Sequence, residues 1–226
     1  MIVEQFYTSC LSQASYYIEC SGEVAIIDPS REVDHFIEKA SSTNSKIKYI
    51  FQTHFHADFV SGHLTLSKLT DAPIVYGPNA DPSYECIISK EGDTFRLGDC
   101  NIKVIHTPGH TLESTSYLLI DKNNKQHSIF TGDTLFLGDV GIPDVAQRYK
   151  GMSKEDLAGV LYDSINNKIK PRRVSGRKRP LRSTIYSGAG KNDCIILSSS
   201  SDKIITPSDS IIEKTKVSLE IGFSGK

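Results

Sequence analysis

Three β-rich runs in this chain each stop on a residue that can bind a metal, and each stop lies beside a turn. Residues 47–52 lead into Thr53-His54-Phe55-His56-Ala57-Asp58-Phe59. Residues 102–107 lead into Pro108-Gly109-His110-Thr111, and residues 128–131 lead into Gly132-Asp133-Thr134-Leu135-Phe136. Imidazole and carboxylate are natural donors for zinc or iron. Each residue has an ordinary reading by itself: His54 as a hydrogen-bonded core histidine, Asp58 as a helix cap, Asp133 as a turn former. Their joint occurrence at three strand ends is what constrains the fold, because strands far apart in sequence must then end at one place.

The rest of the chain supplies material for such a fold. Further β-rich runs lie at residues 2–6, 15–19, 24–27, 74–76 and 116–120, bounded by Ser21-Gly22, Asp28-Pro29, Gly77-Pro78 and Gly98-Asp99. Helical patterns lie at 33–40, 62–69 and 154–169. The last follows Ser153, an N-cap type, and repeats Leu157, Val160, Leu161 and Ile165 at helical spacing. Strands in excess over helices, in mixed order, predict two sheets flanked by helices.

With 226 residues, 38% of them hydrophobic, the chain can build one core plus a tail. We divide it at 1–170, a compact unit, and 171–226, a diverged basic and serine-rich segment expected to be partly disordered. Residues 171–182 hold six basic side chains (Arg172, Arg173, Arg177, Lys178, Arg179, Arg182) and no acidic one. A solvated linker is the plainer reading of this run, and a nucleic-acid contact the weaker one. A formal net charge of -1 gives no global field toward nucleic acid or membrane. No apolar run reaches the ~18 residues of a membrane span, and the N-terminus has no basic-then-apolar signal, so a cytoplasmic protein is expected. The five cysteines, Cys10, Cys20, Cys86, Cys100 and Cys194, form no C-x-x-C pair. Their irregular spacing reads as buried or incidental thiols, not a disulfide framework.

The order His-x-His-x-Asp, Pro-Gly-His-Thr, Gly-Asp-Thr-Leu-Phe resembles the metallo-β-lactamase superfamily in its glyoxalase II and persulfide dioxygenase branch. The wording is most similar to bacterial persulfide dioxygenases at residues 53–63, at Tyr76-Gly77-Pro78-Asn79-Ala80 and at residues 132–141. The resemblance covers residues 1 to about 170. It implies an α+β fold, an αββα four-layer sandwich with the metal at one edge between the sheets, and a C-terminal part that is diverged or incomplete.

It also implies a ligand set. Binuclear members carry His-x-His-x-Asp-His, and here Phe59 stands at the last position; nothing after His127 is a histidine. The resemblance therefore implies His54, His110 and Asp133 as metal ligands and catalytic residues, with His56 and Asp58 orienting ligands or waters. One Fe(II) per chain is expected, zinc being a substitute. Three donors on one face would leave positions for O₂ and a sulfur substrate, giving oxidation of a low-molecular-weight thiol persulfide, such as glutathione persulfide, to sulfite and thiol. The alternatives are a glyoxalase II-like thioester hydrolase and a metal-binding but inactive homologue. An arginine that the family places near the substrate is replaced by Ile142. The reading names a small thiol persulfide and O₂ as partners, excludes a membrane and leaves a homodimer open.

Overall fold

A computed structural model describes residues 1–136, 139–143 and 151–170. The 171–226 segment, and the expectation of disorder there, fall outside the described residues. Among the described residues, ten strands form two sheets. The larger has the order β1 (Ile2–Thr8), β2 (Gln13–Cys20), β3 (Glu23–Ile27), β4 (Lys46–Phe51), β5 (Ile74–Tyr76), β6 (Ile87–Ile88). Its first three strands are antiparallel neighbours, and β3 to β6 run parallel. The smaller is an antiparallel meander in the order β10 (Gln126–Phe130), β9 (Thr115–Ile120), β8 (Cys100–His106), β7 (Thr94–Leu97).

The period-2 alternation of strand side chains explains why two sheets stack. Along β2, Ala14, Tyr16, Ile18 and Cys20 turn to one face and meet Ile102, Val104, Tyr117 and Phe130 of the other sheet. The interleaved Tyr17 turns the opposite way, where Phe36 and Ala40 of α1 (Asp34–Ser42) and Leu66 of α2 (His63–Thr70) cover it. On the outer face of the smaller sheet, Ile105, Leu118 and Ile129 receive Leu161, Ile165 and Ile169. These lie on α3 (Lys154–Asp163) and its π-helical continuation, Ser164–Ile169. The layers are therefore α, β, β, α. Each fully buried Phe, Leu or Ile contributes ~1.5–3 kcal/mol by leaving water, so all three apolar layers stabilise the sandwich. Among the described residues no helix is long and apolar enough to cross a membrane.

The helix start expected at Ser153 is present as a capping box. The Ser153 hydroxyl accepts from Asp156 N at 3.1 Å, and the Asp156 carboxylate accepts from Ser153 N at 2.9 Å.

One expectation is corrected. Cys20 and Cys100, 80 residues apart, form a disulfide between the end of β2 and the start of β8, with Cα atoms 6.3 Å apart. Spacing along the chain conceals this pair, since only the stacking of the sheets brings the two positions together. Cys10 and Cys86 are free thiols.

Candidate metal centre

The loops that follow β4, β8 and β10 open at the same end of the sandwich. β4 ends at Phe51, and the chain then turns through Thr53 to His54. The turn is held from both sides: Thr53 N donates to Asp28 Oδ1 at 2.8 Å, and Thr115 N donates to Thr53 O at 2.9 Å. The loop after β8 delivers His110, and its Pro108 carbonyl accepts from the Ser164 hydroxyl at 2.7 Å, which ties that turn to the helical layer. β10 is followed by a 3-10 turn, Gly132–Thr134, which carries Asp133. Gly132 has φ +49°, and a Cβ there would lie 2.5 Å from the Thr53 hydroxyl. Only glycine fits that approach, and it brings Asp133 up to the His54 turn.

One potential ligand atom from each of His54, His110 and Asp133 lies within 4.8 Å of the others. His54 Nε2 is 3.8 Å and His110 Nε2 3.5 Å from Asp133 Oδ2. The hydrogen-bond partners decide which ring nitrogens carry protons. The Thr53 hydroxyl donates to Asp28 Oδ2 at 2.7 Å, so its oxygen is left to accept from His54 Nδ1 at 3.0 Å. His110 Nδ1 donates to the carbonyl of Ile142 at 2.9 Å. With both Nδ1 atoms engaged as donors, both rings turn Nε2 toward the Asp133 carboxylate, the atom each would offer a metal. Three potential ligand atoms then face one another across one small gap. A cation is the group that fits this arrangement.

Electrostatics agree. Burial pushes the His54 pKa well below the usual histidine range, and His56 and His110 push it the same way, which keeps the ring neutral. Burial raises the Asp133 carboxyl, and the nearby His110 and His56 pull it back only in part. A divalent cation would favour the ionised carboxylate at that position.

His56 is placed differently. Its Nε2 lies 3.0 Å from Asp28 Oδ1 and is thereby turned to a carboxylate outside the donor triangle. Burial acts to lower the His56 pKa, but the charge and hydrogen bond of Asp28 outweigh it and raise the value. The Phe59 ring lies 4.4 Å from the His56 ring, centroid to centroid. Asp58 is exposed on the loop.

Two contributors were missed from the sequence. Asp28, read there as half of a turn, is 3% exposed and accepts from Thr53 N, the Thr53 hydroxyl and His56. It sits at φ +48°, a conformation in which Asp is among the few tolerated residues. A buried-strand run ending in Asp-Pro was the only signal of it. Ile142 was read for its side chain, which is exposed, yet its carbonyl is what orients His110.

A family model described as the metallo-beta-lactamase superfamily matches residues 8–85. Solved structures carry the likeness across the remaining layers. A metallo-beta-lactamase from Staphylococcus aureus is 35% identical, with a TM-score of 0.67 over 74% of this chain and 51% of that one. This chain has the metallo-beta-lactamase fold. A second solved structure, ETHE1 from Myxococcus xanthus, is 29% identical, with a TM-score of 0.64 over 76% of this chain and 72% of that one. Among curated relatives, the cytoplasmic hydroxyacylglutathione hydrolase of Arabidopsis thaliana is 34% identical over 141 residues, 60% of this chain and 54% of its own length. The hydroxyacylglutathione hydrolase of Dictyostelium discoideum is 37% identical over 155 residues, 66% and 54%. The chain thus spans about half the length of these curated relatives.

Proposed function

We propose that this chain holds one metal ion on His54, His110 and Asp133 and acts on the sulfur-bearing end of a small thiol conjugate. The observation that carries this is the set of three potential ligand atoms facing one another. Beside it, His56 spends its Nε2 on Asp28, and Phe59, packed on that ring, has no donor atom. That combination supports a single ion over a pair. A bound metal would supply Lewis-acid activation of a water or, if it is redox-active iron, activation of O₂ next to the substrate sulfur. The protein supplies placement: Thr53 and Ile142 fix the two imidazole tautomers, and Asp28 holds the His56 ring.

Two reactions fit a one-metal site. Hydrolysis of a glutathione thioester has the broader support, because the curated relatives named above are hydroxyacylglutathione hydrolases. Oxidation of a thiol persulfide to sulfite and thiol is supported by Phe59 in place of a second-site histidine, and by the likeness to ETHE1. The test uses metal-replete protein. It combines elemental analysis with two assays: S-lactoylglutathione hydrolysis under nitrogen, and O₂ uptake with glutathione persulfide. Hydrolysis without O₂ selects the thioesterase; stoichiometric O₂ uptake with sulfite release selects the dioxygenase and iron. Two ions per chain would overturn the single-metal reading. One ion with neither activity would overturn the enzymatic one.

A further inference from the structure

The loop that carries His110 continues through a carboxylate that the proposed chemistry does not use. Glu113 is 4% exposed, although burying a carboxylate is costly unless it is well partnered. Its Oε1 accepts from the backbone N–H of Phe55 at 3.3 Å. Phe55 is the residue between His54 and His56, so this bond joins two ligand-bearing loops from different sheets. The platform under Glu113 is itself fixed. Thr111 N and the Thr111 hydroxyl both bond Ser114 Oγ, at 3.1 and 2.7 Å, and the Thr115 hydroxyl donates to Glu113 O at 2.9 Å. His106 Nε2 lies 2.8 Å from Leu112 O.

We infer that Glu113 is a positioning residue of the metal centre: its buried carboxylate holds the Phe55 amide and so locks the His54–His56 turn to the His110 loop. Without that oxygen the Phe55 N–H loses its acceptor, and the turn can swing so that His54 Nε2 leaves the donor triangle. Reach matters here and charge does not. A side chain of glutamate length with any acceptor oxygen performs the task, whereas the shorter aspartate falls short of the amide.

The inference rests on the three-ligand reading, and the experiment separates the two. Wild type, Glu113→Gln and Glu113→Asp are stripped of metal and titrated with zinc, then with cobalt, whose visible absorption reports ligand geometry. Protection of the Phe55 amide from hydrogen exchange is measured alongside, in the metal-free proteins. Glu113→Gln is expected to keep the wild-type affinity, cobalt spectrum and Phe55 protection. Glu113→Asp is expected to lose ~10–100-fold in zinc affinity, the usual cost of removing a group that orients a ligand, with a changed cobalt spectrum and faster Phe55 exchange. Should Glu113→Asp fail to fold, Glu113→Gln still decides: weakened zinc binding in that folded variant overturns the inference in favour of charge. Equal affinities in all three proteins also overturn it. Wild type that takes up no stoichiometric metal would instead remove the ligand reading, whatever the variants do.

Discussion

The two ends of the sandwich solve the same problem with different chemistry. At the end away from the candidate metal centre, Cys20 of the larger sheet is bonded to Cys100 of the smaller. The β2–β3 and β7–β8 turns interlock around it. Gly98 N donates to Glu23 Oε2 at 2.6 Å, Lys48 Nζ pairs with Glu23 Oε2 at 2.8 Å, and the Ser21 hydroxyl donates to Asp99 at 2.8 Å. The Lys48 hydrogen bond and the Gly98 amide hold the Glu23 carboxyl below its ordinary range. At the other end no covalent bond crosses between the sheets among the described residues. There His54 from the larger sheet faces His110 and Asp133 from the smaller. One end is closed by the protein alone; on the proposed reading the other is completed by a cation. An end that admits a substrate, as that reading requires, gives up permanent closure.

Three measurements sharpen or break that contrast. The largest effect belongs to the ligands. Asp133→Ala should abolish stoichiometric metal uptake, read by elemental analysis, because two imidazoles alone are a poor site; retained one-to-one binding would show that the triangle is not the site. Next comes reduction of the disulfide. Its sequence separation of 80 residues corresponds to ~4 kcal/mol of loop-closure stabilisation in the chain-entropy model. Cys20→Ala with Cys100→Ala should therefore lower the urea midpoint markedly while leaving zinc affinity at the far end unchanged. A joint loss of both would mean that the ends are coupled. The smallest effect is a pH dependence at the site end. Burial pushes the His63 pKa down to about 4, so the unfolded chain binds the proton first. Stability is complete above the ordinary histidine range and declines as pH falls from ~6.5 toward about 4. His63→Gln in metal-free protein should flatten part of that acid slope in urea melts. Other half-buried histidines, His35, His106 and His127, are shifted the same way and keep the remainder.

Much of the architecture was legible because strand and helix periods write themselves into buried elements. β2, β4, β8 and β9 are legible as short β-rich runs bounded by turn residues, and α3 by its N-cap serine and the spacing of Leu157 and Leu161. β6 was not legible, since Ile87–Ile88 is a two-residue strand with both side chains exposed, too short to show a period. β7 escaped for a similar reason, its four residues mixing exposed and buried positions. The three candidate ligands were legible as strand-end residues. Their supports were not, because Asp28, Glu113 and the Ile142 carbonyl act through contacts 25 to 58 residues away in sequence. The cysteine pair is the same failure on a larger scale: long-range pairing leaves no local trace in a single chain.

Position 142 carries two duties that do not interfere. Its main-chain oxygen faces inward to the His110 ring, and its side chain is 55% exposed. The preceding Gly141 is packed against the Asp133 carbonyl and the His110 ring with no room for a Cβ, which pins the segment in place. Whatever side chain follows is therefore offered to the surroundings without disturbing the tautomer behind it. An exchange of isoleucine for arginine here would change what the surface offers and leave the carbonyl–His110 bond as it was.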